Sequence, residues 1–403
     1  MTGPLSGVKI VELAQMIAVP GATHLLANQG AEIIKVENTT GGDDLRMYGS
    51  RKGNMSGWFA NANAGKRSIG LNLEREEAKD ILSTFIKNAD VFIEGFRPGA
   101  VSRLGFSADE AFKINPRLVY VSSSGFGAEG PYSERPVYDP VIQAISGWAG
   151  AQRTADGPSL IRGMVADKVA ALTTSQAITA ALFARNETGE CQHVQVSMLE
   201  ANIAFNWPDV MMHETVLDED ALHLPNLLGS YQLFSTSDGW VSVTAGTDSQ
   251  WKAVCSALSR DDLANDERFS TAANRSKHFT EWYASFDEML SAFTTAEALQ
   301  KCQAADVPAV RVLDPSEVAH DIHVKEVGSI AEIEHPIVGR MRVPRQGAIF
   351  NNSSEYNPRP APSYCQDTTE LLTEIGYSND KIEKLKSSGT ISCLLYTSDA
   401  ADE

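Results

Sequence analysis

A carboxylate at the start of a long helix can either hold that helix or do chemistry from it. Asp167 has this setting, in Gly163-Met164-Val165-Ala166-Asp167-Lys168 at the mouth of an Ala-rich helical run. As a cap, it would accept hydrogen bonds from the free N–H groups of the first turn. As a reagent, a carboxylate held ionised and exposed at a strand-to-helix junction is a nucleophile. Gly125-Phe126-Gly127-Ala128-Glu129-Gly130 matches G-x-G-x-x-G after a strand-like run. That spacing serves dinucleotide sites only when a helix N-terminus follows to hold the pyrophosphate. Here Pro131 follows at once and Pro136 and Pro140 lie just beyond, so the motif reads as a flexible loop beside a site. Lys66-Arg67, Arg97 and Arg103 are solvated charges singly, but grouped at the ends of strands they could grip phosphate oxygens.

The remaining reactive side chains exclude more than they suggest. His24 falls in a helical stretch and His193 just before a strand, while His213, His223, His278, His320, His323 and His335 read as loop or surface-helix residues. His320 and His323 lack a third ligand at metal spacing, so no metal site is expected. There is no Gly-x-Ser-x-Gly, Walker loop or His-Glu-x-x-His. The cysteines (Cys191, Cys255, Cys302, Cys365, Cys393) form no CxxC pair and read as reduced thiols of a cytoplasmic protein.

The elements that must position these residues alternate. Val8-Lys9-Ile10-Val11-Glu12-Leu13, residues 31–36, Val91-Phe92-Ile93 and Leu118-Val119-Tyr120-Val121 are short β-prone runs. Residues 20–28 and 74–87 between them have helical character, the latter with Ala78, Ile81, Leu82 and Phe85 on one face. This repetition predicts βαβ units and a parallel sheet, an α/β fold. Residues 166–185 form a helix, followed by a strand at 193–196. The pattern then changes. Residues 1–205 form a first unit, 206–228 a crossing segment with Pro208 and Pro225, and 229–322 a smaller α+β unit opening on a hairpin turned at Ser237-Asp238-Gly239. Residues 323–392 return to the first unit through short strands and two helices. The tail 393–403 resembles a translated sequencing adapter and is set aside from the fold.

A chain of 403 residues is long enough for one large or two medium domains. Its formal charge of −18 repels nucleic acid and anionic membrane, so neither is an expected partner. No apolar run reaches the roughly 18 residues that would span a bilayer, and the N-terminus carries no secretory pattern.

In order along the chain, these motifs resemble the class III CoA-transferases, the family of formyl-CoA transferase, carnitine CoA-transferase and α-methylacyl-CoA racemase. The resemblance runs from Leu5-Ser6-Gly7-Val8-Lys9-Ile10-Val11-Glu12-Leu13 through Gly30-Ala31-Glu32-Ile33-Ile34-Lys35-Val36-Glu37 and Asn63-Ala64-Gly65-Lys66-Arg67-Ser68-Ile69. It continues in Glu94-Gly95-Phe96-Arg97-Pro98-Gly99, Tyr138-Asp139-Pro140, Ala166-Asp167-Lys168 and, later, Val307-Pro308-Ala309 and Glu334-His335-Pro336. The resemblance implies a Rossmann-like large domain whose parallel sheet is built from both chain ends, a smaller inserted domain, and an interlocked homodimer. It implies that Asp167 is the nucleophile, with acyl-CoA and a carboxylic acid acceptor as substrates and no tightly bound cofactor. Its motifs place CoA contacts at Ile17, Ala18, Asn38, Leu71, Asn72, Leu73, Glu74, Gly95, Phe96, Arg97, Arg103, Val137, Tyr138 and Asp139. Two departures stand out. Asn38 stands where relatives often carry an arginine, which Arg46 or Arg51 could replace. Ile17 stands where formyl-CoA transferase has a glutamine, which argues against an oxalate-type acceptor. Racemases of the family resemble His-Asp where this chain has Tyr138-Asp139; a phenol keeps its proton near neutral pH and is a poor base. Transfer is therefore the expected activity, with racemisation or CoA binding without chemistry as the alternatives. Arg135 and Arg162 flank the Tyr138 and Asp167 motifs and could meet a second carboxylate of the acceptor.

Overall fold

Short runs apolar at every position make strands covered on both faces, as a parallel sheet requires. The computed structural model describes residues 3–221, 227–351 and 359–393, and divides into two units, one of residues up to 211 and from 328 onward, the other of residues 212–327. In the first unit, β1 (Lys9–Leu13), β2 (Glu32–Glu37), β3 (Arg67–Leu71), β4 (Val91–Glu94), β5 (Val119–Ser124), β6 (Gln192–Ser197) and β7 (Ile391–Ser392) form one sheet. Its order is β7-β3-β2-β1-β4-β5-β6, with β7 antiparallel to β3 and the other pairs parallel. Both ends of the described chain thus meet in one sheet, and β1 to β6 follow the doubly wound order 3-2-1-4-5-6.

Alternation along the strands divides the core. Ile10, Ile33, Val91, Ile93, Val119 and Val121 face one side, where they meet Leu26 of α1 (Ala18–Asn28) and Ile178 and Leu182 of a later long helix. Val11, Phe92 and Tyr120 face the other, against Ile81, Leu82 and Phe85 of α2 (Glu76–Lys87). Each fully buried Ile, Leu or Phe contributes roughly 1.5–3 kcal/mol of transfer free energy. Beyond β5 come α3 (Asp139–Ile145), the 24-residue α4 (Val165–Thr188) that carries Ile178 and Leu182, and α5 (Met198–Asn206). Near the C-terminus α6 (Thr368–Glu374) buries Leu371 and Leu372 in the same core as α2.

His335 departs from the sequence reading. It lies in the strand Ile330–His335, 1% exposed, where Nε2 donates to the Ala361 carbonyl and Nδ1 accepts from the Ile337 N–H. Burial holds this imidazole below its usual pKa, so it serves the core as a neutral ring. The second unit has a three-stranded antiparallel sheet, with Trp240–Val243 between Phe234–Ser235 and Ala309–Arg311. Its helices bury Trp251, Phe269, Phe286 and Leu290 in a separate core. His223 and Pro225 lie outside the described residues, as does the tail beyond Cys393.

Candidate active site

A doubly wound sheet opens a crevice at the carboxyl ends of its strands, where the order reverses. Here that point lies between β1 and β4. A cavity of about 270 Å³ occupies it. Gln15 and Met16 enter from the loop after β1, Ala18 and Val19 from the start of α1, and residues 95–98 from the loop after β4. Residues 123–125 at the end of β5 and residues 135–138 form the opposite wall, and Asp167 enters from the first turn of α4. Two glycines allow these walls to close. A Cβ on Gly95 would stand 3.0 Å from a Val19 methyl and 3.1 Å from Ala14 Cβ, and one on Gly125 would overlap Val137. Gly125→Ala is expected to cost about 1–3 kcal/mol of stability by overpacking, measurable as a lowered urea midpoint with unchanged slope.

Asp167 does not cap its own helix, contrary to one of its two sequence readings. Met164 is the N-cap of α4 and makes no side-chain cap bond, and Asp167 stands three residues further on. The cap comes from α3: Asp139 Oδ2 accepts the Asp167 N–H at 3.0 Å. Asp139 is 4% exposed, and its Oδ1 accepts from Gln143 Nε2 at 2.6 Å. Gln143 in turn donates to the Gly163 carbonyl and accepts from the Ile161 N–H, fixing the segment that leads into α4. The Asp167 carboxyl is thereby released from helix duty and turned to the cavity, half-buried. Burial, reinforced by the nearby Asp139 charge, pushes it up to about 7. Such a carboxylate is a stronger nucleophile than one in water, since its charged form is poorly solvated.

The other expected contacts separate into groups. Ala18, Gly95, Phe96, Arg97, Val137 and Tyr138 line the cavity around Asp167. Ile17 instead packs toward the cluster of Leu45, Met55 and Phe59. Asp139 is buried beside the wall, with its carboxylate accepting from Gln143 Nε2 and the Asp167 N–H. Leu71 is 2% exposed in the core and pairs with Ile391 in the sheet. Asn72, Leu73 and Glu74 follow it at the carboxyl end of β3. Asn38 is exposed after β2, but its side chain is spent on its own loop, through Gly42 and Thr40. Arg103 is exposed one helical turn beyond Gly99. Arg46 is unavailable as a substitute phosphate ligand: it is fully buried, paired with Glu37 through two bonds and set over the Phe59 ring. Arg51, the other candidate, is exposed. Of the two acceptor candidates, Arg135 lines the cavity, stacked 3.8 Å over Tyr132, whereas Arg162 is exposed and does not line it.

Sequence reasoning missed Gln15 and Met16, the loop residues directly after β1. The switch-point rule identifies that loop, but only once the strand order is known. The Gly-rich loop does lie beside the site: Gly125 lines this cavity, and Gly127, Ala128 and Glu129 line an adjoining one that shares Phe96, Pro98 and Ser124. Among the described residues no group of three or more His, Cys, Asp or Glu side chains could hold a metal ion, and no helix is long and apolar enough to cross a membrane.

Comparison with known proteins gives the same picture at the level of the whole chain. Residues 5–368 match the sequence model of CoA-transferase family III. The chain is 35% identical over 327 residues to an acetyl-CoA:oxalate CoA-transferase of Acetobacter aceti, covering 79% of this chain and 83% of that one. It is 30% identical over 394 residues to a succinyl-CoA:glutarate CoA-transferase of Homo sapiens, covering 96% and 90%. Among solved structures it resembles Rv3272 from M. tuberculosis, with a TM-score of 0.81 and 28% identity over 92% of this chain and 99% of that one.

Proposed function

The chain belongs to CoA-transferase family III, and from that premise we propose that it moves CoA from an acyl-CoA donor to a free carboxylic acid through covalent intermediates on Asp167. The observation that carries the reading is the half-buried Asp167 carboxyl, freed from capping by Asp139 and facing a cavity at the sheet's switch point. An Asp167 oxygen attacks the thioester carbonyl, the C–S bond breaks, and a mixed anhydride and CoA thiolate result. The thiolate attacks the aspartyl carbonyl, the anhydride C–O bond breaks, and the donor acid leaves. The acceptor carboxylate then attacks this aspartyl thioester, expelling the thiolate and forming a second anhydride. Attack of the thiolate on the acceptor carbonyl completes the new acyl-CoA and restores Asp167. Holding CoA in place makes the thiolate steps intramolecular, and the walls must exclude water because anhydrides hydrolyse.

The sheet supplies a track for CoA. The segments matching the family's CoA motifs follow β3, β2, β1, β4 and β5, all at the same carboxyl edge. Five adjacent strands about 4.8 Å apart give a track of about 19 Å, so the nucleotide end would lie by residues 71–74 and Arg51 and the thioester by Asp167. The relatives named for oxalate and for glutarate act on dicarboxylic acids. We assign this chain a small dicarboxylic acceptor whose distal carboxylate meets Arg135. Exposed Leu172 and Phe183 on α4 and Phe205 on α5 support assembly as an interlocked homodimer.

The test is a panel of acyl-CoA donors and free acids read by mass spectrometry, with hydroxylamine present in a parallel series. New acyl-CoA and a hydroxamate at Asp167 are expected. CoA binding with neither product would leave a binding protein, and α-proton exchange from a 2-methylacyl-CoA in D₂O would favour the racemase. Because the nucleophile is the ionised form, kcat/KM should rise with pH through about 7 and level above it. A profile flat across that range would show that Asp167 is already ionised well below it, and the hydroxamate then decides its role.

A further inference from the structure

Met16 lines the cavity with φ at +68°, one of four non-glycine residues at positive φ among those described, and alone of these beside Asp167. That region disfavours any side chain, and β-branched ones most, so the surroundings must enforce it. They do so with buried charge. Asp43 Oδ1 accepts the Met16 N–H at 3.1 Å, and Asp43 Oδ2 faces Lys35 Nζ at 2.9 Å. The same Lys35 Nζ donates to the Ala14 carbonyl at 2.8 Å and pairs with Glu12 at 2.8 Å. Glu12 also pairs with Lys66, and the Asp43 N–H donates to Glu37 Oε2. Glu12, Lys35 and Asp43 are all 1% exposed or less. The loop after β1 is therefore gripped twice from beneath, at the Ala14 carbonyl and at the Met16 N–H. Loosening either grip takes a hydrogen bond from a buried charged group, Lys35 at the Ala14 carbonyl or Asp43 at the Met16 N–H, and such charge-assisted bonds are costly to lose in the core.

We propose that Asp43 and Lys35 are positioning residues, a buried ion pair that holds Met16 left-handed and so fixes the Gln15–Met16 edge of the cavity against Asp167. This rests on the transferase reading above. The alternative, that the charges merely fill the core, predicts a loss of stability on mutation with no dependence on what occupies position 16.

A double-mutant cycle on kcat/KM separates the two. Asp43→Ala should lower transfer by about tenfold or more in the wild-type background, since small displacements of a reacting site are costly. In the Met16→Gly background, where φ near +68° needs no enforcement, the same change should cost no more than about threefold relative to Met16→Gly alone. Amide exchange of a peptide spanning residues 14–19 should be faster in Asp43→Ala than in the wild type, because the Met16 N–H loses its acceptor. Should Asp43→Ala fail to fold, substitutions at position 16 alone decide, because they leave the buried charges intact. Met16→Gly and Met16→Asn should lie within about threefold of each other, and Met16→Ile at least about tenfold below both. An additive cycle, or Met16→Ile as active as Met16→Gly, overturns the inference while an active wild type leaves the transferase reading standing. A wild type inactive on every donor and acceptor would overturn that reading first.

Discussion

Asp167→Ala should lower CoA transfer by roughly 10³–10⁶-fold, the range seen when a covalent nucleophile is lost and only positioning remains. Neither anhydride nor aspartyl thioester can then form, and no hydroxamate should appear. CoA affinity should change little, because the proposed CoA track draws on the loops after β1 to β5, which the substitution leaves unchanged. The fold should not suffer, since Asp139 caps α4 and the backbone N–H it needs survives the substitution. Linkage even gives stability the opposite sign. Asp167 titrates near 7 in the folded chain against 3.8 ordinarily, so between those values the folded state holds more protons than the unfolded one. Wild-type stability therefore falls as pH rises through that window, and the variant escapes the loss. Its melting temperature should equal or exceed wild type at pH 8 and match it below about pH 4. Purified variant and wild type, compared for transfer, CoA binding and melting, give the answer. Retained transfer in a folded variant would mean that the nucleophile lies elsewhere.

Local chemistry made much of this molecule legible in advance. Val91-Phe92-Ile93 is apolar throughout because both faces of β4 are covered, and Ala78, Ile81, Leu82 and Phe85 recur at helical spacing because one face of α2 is. Motifs at strand ends drew Gly95, Arg97, Tyr138 and Asp167 to one place, and the cavity unites them. What stayed hidden depends on partners distant in sequence. Asp167 looked like a cap because position alone suggests one, and its true relation to the helix end is set by Asp139, 28 residues earlier on another helix. Arg46 looked like a free cation, but Glu37 and the Phe59 ring take it into the core. Asn38, the departure from the arginine of relatives, spends its amide on Gly42 and Thr40, a turn that no composition reveals. Gln15 and Met16 carry no motif at all; only the order of the strands brings them to the reacting carboxylate.

Asp139 is where a second substitution should be most damaging, through a residue that need not touch substrate. Its two oxygens accept from two separate donors, Gln143 Nε2 and the Asp167 N–H. In Asp139→Ala both donors lose their acceptor in a buried setting, at a cost of about 1–3 kcal/mol. The start of α4 is then free to shift, and a displacement of about 1 Å at the nucleophile lowers turnover by about 100-fold. Asp139→Asn is the finer probe. An amide has one acceptor oxygen, so whichever donor keeps it, the other meets the new NH₂ group; Gln143 cannot turn to relieve this while it also serves Gly163 and Ile161. Stability should fall less than in the alanine variant. The missing negative charge should also move the midpoint of the pH profile below about 7, because Asp139 is one of the two influences that raise Asp167. Hydroxylamine should still mark Asp167 in this variant. An unshifted midpoint would show that the two carboxylates do not sense each other, and a hydroxamate found on Asp139 instead of Asp167 in the wild type, with transfer abolished in folded Asp139→Asn, would make Asp139 itself the nucleophile. The geometry opposes that second outcome: the Asp139 carboxylate is buried to 4% exposure, accepts a hydrogen bond at each oxygen and does not line the cavity.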